Sequence, residues 1–263
     1  MGKAKPFLEV FASALNEDYG FPVLEFVAFA YTVGTIIGIE IFGHGPELWD
    51  SAFVLMSLTN PITAFMLVGL MFGLLVLKNI AYSFGNDLDR GVIVSFLSYP
   101  LRRRSLLTAK LLSSIGVPFI FFVSIQVFLV LLLFPGIVSL YIVLLAILSV
   151  LSYPILVASI VLVLTIFFKR GSKALFVGIV LYFASGFSWL LLLMTGPTGL
   201  KAAAIIYPSI ALQLHYTIGW DPSILRAWTP SFNESLLYIG AGYALSISIL
   251  AVAYLYFERR LEI

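Results

Sequence analysis

From Val138 to Phe168 the chain runs VSLYIVLLAILSVLSYPILVASIVLVLTIFF without one Asp, Glu, Lys, Arg or His. A stretch this long and apolar fits a bilayer: about 20 apolar residues cross the hydrocarbon core, and a helix satisfies every backbone amide there without water. Apolar runs recur at about 22–42, 61–82, 105–134, 174–195 and 234–257, so the chain is predicted to be an all-α integral membrane protein with six transmembrane helices. Six spans use most of the 263 residues, of which 61 % are hydrophobic and 11 % charged, so 1–263 reads as a single transmembrane domain with no room for a catalytic one.

Local signals mark the boundaries. Phe7, Val10, Phe11, Ala14 and Leu15 fall at helical spacing against Lys5, Glu9 and Ser13, which fits either a short amphipathic helix at the membrane interface or a partly ordered tail. Glu9, Glu17 and Asp18 interrupt the apolar core that a cleaved signal peptide would need. Span one carries Gly34 and Gly38 at helix-packing spacing, with Glu25 and Glu40 near its ends. Asn60-Pro61 is a capping residue followed by a first-turn proline, which starts span two there and leaves 46–58 as a short interfacial helix. Pro135-Gly136 turns span three into span four, and Pro154 is expected to kink the latter. Residues 196–233 are too apolar for a free loop and are interrupted by Pro197, Pro208, Pro222 and Pro230. Re-entrant or interfacial helices are predicted here, with Tyr207, Tyr216, Trp220 and Trp228 at headgroup depth.

Placement of the cations predicts orientation. Grouping the two tails with the loops after spans two and four collects Lys3, Lys5, Lys78, Arg90, Arg102, Arg103, Arg104, Lys110, Lys169, Arg170, Lys173, Arg259 and Arg260, and of the 15 basic residues only Lys201 and Arg226 are left for the other side. The positive-inside rule puts both termini and these loops in the cytoplasm, in a multi-pass protein of the cell membrane.

Several chemistries are excluded by residue type. There is no cysteine, and the two histidines, His44 and His215, fall far apart on the predicted outer side, so no metal or thiol centre is built from them. No GxxxxGK[ST] phosphate loop, HExxH or GxSxG motif occurs, and Asp87 and Asp89 lack the further acids that would hold magnesium. The span centres are almost free of ionisable groups; Gln126 is the most polar side chain near a midpoint and reads as a helix-packing amide. No catalytic residue, bound cofactor or nucleic-acid partner is expected.

The one charged segment set between membrane-length runs is GNDLDRGVIVSFLSYPLRRRSLLTAKLL, residues 85–112. Leu88, Val92 and Phe96 recur at i, i+4 and i+8, flanked by Ile93 and Leu97, which predicts a short helix with one apolar face ending before Pro100. Arg102, Arg103 and Arg104 then open span three, where three cations oppose the helix dipole and need compensation. Two readings fit. In one the arginines, with Lys169, Arg170, Lys173, Arg259 and Arg260, contact lipid phosphates and fix topology. In the other the elbow is also a docking surface for a cytoplasmic partner.

Asp87, Asp89 and Gly91, then Ser98, Pro100, Arg103 and Lys110, resemble the motif that follows the second span in permease subunits of the type-2 ABC exporters. The family usually has glutamates at the first two positions and a third acid three residues after the glycine; here they are Asp87, Asp89 and Val94, and Arg102 replaces the serine before the arginine. The resemblance extends to the basic KRGSKA loop, the broken segment between spans five and six, and the end at Phe257, Arg259 and Arg260. It implies a permease paired with a second copy and with two cytoplasmic ABC ATPase subunits, which hold the ATP and magnesium. Each ATPase would receive a coupling helix of about 86–99, with Asp87, Leu88, Asp89, Gly91, Val92, Phe96, Leu97, Pro100 and Arg103 as its contact residues. Nucleotide-driven closure would then switch the pore between inward and outward access.

Two other readings share most of these features, an ATP-independent transporter and a membrane subunit that only anchors or regulates a partner. A lipid-modifying enzyme is disfavoured by the shortage of acids and the lack of histidine near the elbow.

Overall fold

The computed structural model describes residues 4–20, 22–42, 69–97, 102–136, 138–193, 195–216 and 228–259. They are helical, with no strand among the described residues. Helix α1, Ala4–Tyr19, precedes α2, Val23–Phe42. The chain then resumes in α3, Leu70–Leu77, which runs without a break through a π-wound segment, Lys78–Phe84, into α4, Gly85–Asp89. A turn at Arg90 and Gly91 leads to α5, Val92–Leu97. The next rod is α6, Arg103–Leu111, a second π-wound segment, Leu112–Gly116, and α7, Val117–Leu133. Helix α8 is Leu140–Phe168 and α9 is Gly171–Leu193; two short helices follow, α10, Pro197–Ile206, and α11, Pro208–Tyr216, and then α12, Phe232–Arg259.

Four of these are long and apolar enough to cross a membrane: the Arg103–Leu133 rod, α8, α9 over Gly171–Ser188, and α12. A fifth candidate joins Pro6–Tyr19 to Val23–Ile37 across a bend of 61°. The bend separates the polar-faced α1 from α2, whose 20 residues have the length of a span. The predicted start of span two at Pro61 and the interfacial helix at 46–58 lie outside the described residues, whereas the helix of that span continues past its predicted end at 82 as far as Asp89.

Helix α8 is the hub. In its most apolar window 78 % of the residues are buried, against 22–28 % for the other three qualifying helices. It is apolar on every side because α3, α7, α9, α11 and α12 pack around it, and it passes through Pro154 as one helix. The surrounding helices turn Phe26, Phe29, Ile120, Phe128, Phe176, Leu237 and Ile247 outward, a surface suited to lipid rather than water. Gln126 bridges helices as the sequence suggests: its amide donates to Thr35 Oγ1, which donates to the Tyr31 carbonyl at 2.8 Å.

The α10–α11 pair fills the place of the predicted re-entrant segment. Tyr207, between the two helices, is buried, its ring 4.5 Å from that of Tyr153 on α8 and its hydroxyl donating to the Ser185 carbonyl on α9. Trp228 is buried against Tyr238, Tyr216 is half-buried, and Trp220 lies outside the described residues. Aromatic rings here pin the broken segment to the bundle, since each carries a large apolar area and one polar tip that a helix carbonyl can satisfy.

Candidate functional site: a buried charge cluster behind the 85–112 elbow

The two π-wound segments face the same helix. A π turn adds a residue to the turn and so re-aims the side chains that follow. Asn79 and Ser83 on the first, and Ser113 and Ser114 on the second, all come to bear on the end of α1. Apolar contact seats that helix, with Val10 and Ala14 buried.

Lys110 lies at the centre, only 3 % exposed. Its Nζ is 2.5 Å from Asp87 Oδ2 and 2.8 Å from Glu17 Oε2, so one ammonium joins α4, α6 and α1. Ser83 donates to Glu17 Oε1 at 2.8 Å. Asp18, 1 % exposed, accepts at Oδ2 from Ser113 at 2.6 Å and from Ser114 at 3.4 Å. Tyr19 donates to the Ser113 carbonyl at 2.9 Å and accepts from Asn79 Nδ2 at 2.8 Å, while Lys78 donates to the Asp18 carbonyl at 3.1 Å. Burial alone would push Glu17 up, but the Lys110 ammonium outweighs it and holds the carboxyl below its ordinary value. Burial pushes the neighbouring Asp18 the other way, against the weaker pull of Ser113 and the lysines.

In front of this cluster the elbow is not one helix. Gly91 has φ +69°, a conformation that glycine adopts freely, and it divides the predicted 88–97 helix into α4 and α5. The i, i+4, i+8 stripe is therefore broken. Leu88 and Phe96 are half-buried against the chain's own core, and Ile93 beside them is fully buried. The Lys110 Nζ stands 6.0 Å from the centroid of the Phe96 ring. What the elbow turns outward is its tip: Asp89 and Arg90 are exposed, and Gly91 and Val92 half-exposed. The side chain of Leu97, and Ser98 and Pro100 entirely, lie outside the described residues.

Of the cations, Arg104 is compensated across the bundle, its Nε at 2.7 Å and Nη2 at 2.5 Å from Glu258 Oε2 on α12. Arg102 is exposed on extended backbone just before α6, and Arg103 is half-buried. Lys169, Arg170 and Lys173 are exposed at the α8–α9 turn, where Lys169 takes the left-handed conformation, and Arg259 is exposed at the end of α12; Arg260 lies outside the described residues. The α8–α9 turn abuts the elbow through glycine: a Cβ on Gly85 would lie 2.6 Å from the Gly171 Cα.

The chain matches no protein-family model and no curated protein at a significant level of similarity. Its site must be read from its own residues. Asp87 and Lys110 are brought together and Gly91 turns the chain between α4 and α5, but Glu17, Asp18, Tyr19, Asn79, Ser83, Ser113 and Ser114 are not legible as a site beforehand. The available signal was small: two acids ending an amphipathic stretch, and a serine pair inside an apolar run. No group of three or more His, Cys, Asp and Glu among the described residues could hold a metal ion.

Proposed function

We propose that this chain is the membrane-spanning permease subunit of an ATP-driven transporter of the type-2 ABC exporter class, with six spans and both tails and the elbow on the cytoplasmic side. It works beside a second permease copy, and two separate cytoplasmic ATPases hold the ATP and magnesium. One observation supports this reading: Asp87 at the base of the elbow is ion-paired to Lys110 at 2.5 Å, and the Gly91 turn lies partly exposed in front of it. Such an elbow can transmit a push, because its base is tied to the rods of spans two and three and, through Glu17, to α1. The contact with the ATPase falls on the tip, at Asp89, Arg90, Gly91 and Val92. Leu88 and Phe96 brace the tip from behind. The basic residues Arg102, Lys169, Arg170, Lys173 and Arg259 meet lipid phosphates around it.

The test is isolation of the tagged full chain from its native membrane. A stoichiometric ATPase bearing a phosphate-binding loop is expected with it, together with ATP-dependent transport after reconstitution. Asp89→Lys with Val92→Asp is expected to release the ATPase while the chain still inserts. A chain that transports with no ATPase bound would overturn the reading.

A further inference from the structure

The π-wound segment Leu112–Gly116 has an origin in the sequence. Pro118 carries no N–H, and in unbroken α winding its ring would press on the carbonyl of Ser114, four residues back. The winding changes just ahead of it: the Val117 N–H reaches back five residues to the Leu112 carbonyl instead of four to Ser113. The Ser113 carbonyl thereby loses both backbone donors that could serve it. Val117 is committed to Leu112, and residue 118, five residues on, has no hydrogen to give. Ser113 is fully buried, so a carbonyl left unserved there is costly. A donor comes from α1 instead. The Tyr19 hydroxyl gives its single hydrogen to the Ser113 carbonyl at 2.9 Å, and its oxygen accepts from Asn79 Nδ2, on the other π-wound segment, at 2.8 Å. One hydroxyl at the end of α1 therefore joins the two irregular segments. The residue before it ties to both again: Ser113 Oγ donates to Asp18 Oδ2 at 2.6 Å, and Lys78 Nζ to the Asp18 carbonyl at 3.1 Å.

We propose that α1 is a strap across the two rods, fastened at the Ser113 carbonyl that Pro118 leaves without a backbone donor. Asp87 follows the first π-wound segment, Lys78–Phe84, and Lys110 precedes the second, so what holds these two segments together also holds the base of the elbow. With α1 seated, the released carbonyl is satisfied and the π turn is supported. With α1 lifted, the carbonyl has no donor and the turn loses that support. Tyr19 is accordingly a positioning residue, acting on the elbow through Ser113 and Asn79. The strap is a property of this chain alone and does not depend on a partner ATPase.

Because the chain has no cysteine, a single thiol reports α1 directly. Ala14→Cys places one at a buried position and Ser13→Cys one at an exposed position, and the maleimide labelling rate of the first divided by that of the second, at one fixed pH, measures how often α1 lifts. Tyr19→Phe keeps the ring and removes the donor, and is expected to raise the ratio at least about threefold. Pro118→Ala restores an amide at 118, so the Ser113 carbonyl is served by its own helix in either winding, from residue 117 in α or residue 118 in π. In that background the rise caused by Tyr19→Phe should be smaller by at least about twofold, the remainder belonging to Asn79. No rise in the parent chain, or an equal rise in both backgrounds, overturns the proposal. Ala158→Cys, fully buried in α8, separates lifting of α1 from general loosening. It should stay unlabelled throughout, and a thiol there that becomes reactive with Tyr19→Phe also overturns the proposal.

Discussion

Asp87 Oδ2 and Lys110 Nζ meet 2.5 Å apart, both nearly excluded from solvent, where α4 ends and the Arg103–Leu133 rod begins. The pair is the base on which the elbow stands, and Glu17 completes it from α1.

Removing one member should be far worse than removing both. Lys110→Met leaves Asp87 as an uncompensated buried charge and is expected to cost about 3–5 kcal/mol, whereas Lys110→Met with Asp87→Leu should recover most of that loss. Unfolding of the parent chain and the two variants in mixed micelles measures the difference. Equal loss in the single and double variants would show that the pair is not coupled.

Glu17 adds a pH dependence of definite sign. Its folded carboxyl titrates below the ordinary 4.5, so its contribution is fully present above pH 4.5 and is lost as the pH falls through the lower, folded value. Glu17→Gln should therefore be less stable than the parent at neutral pH and converge on it in acid. Melting curves recorded across that range test this.

Glycine positions should separate sharply. A Cβ on Gly85 would sit 2.6 Å from the backbone of Gly171, and neither helix can give way without moving the α8–α9 turn, so Gly85→Ala is expected to cost about 1–3 kcal/mol. Gly240 on α12 has open space around it, and Gly240→Ala should be neutral or stabilise by up to about 1 kcal/mol through helix propensity. Both are read by thermal unfolding in the same detergent.

Arg104 and Glu258 are close but solvent-exposed, with side-chain accessibilities of 62 % and 34 %. Glu258→Gln should change stability little, and what it loses should disappear at high salt. A larger, salt-independent loss would mean that the contact is buried in the assembled protein.

Leu88→Asp with Phe96→Asp should do more than block a partner. Both side chains lie against the chain's own core, so the double variant is expected to loosen the elbow itself and to expose it to limited proteolysis. Asp89→Lys, on the outer tip, should leave the protease pattern unchanged.

The helices of membrane-spanning length were legible in the sequence because the demand on them is local. An apolar run must satisfy its own backbone amides, so Leu140–Phe168 and Phe232–Arg259 nearly coincide with the runs predicted from hydropathy alone. Which apolar helix becomes the hub was not legible. Lipid tails and a protein interior are almost equally apolar, so hydropathy cannot distinguish α8, which is enclosed, from α12, which is mostly open. The charged residues show the same division. Asp87, Gly91 and Lys110 were singled out by their resemblance to a family motif, but only the tertiary structure decided that Gly91 breaks the helical stripe, that Leu88 and Phe96 turn inward, and that Glu17 and Asp18 reach Lys110 and Ser113 from the far end of α1. A buried charge is satisfied by whatever the packing brings within about 3 Å, and that distance is set by helices folding together, not by separation along the chain.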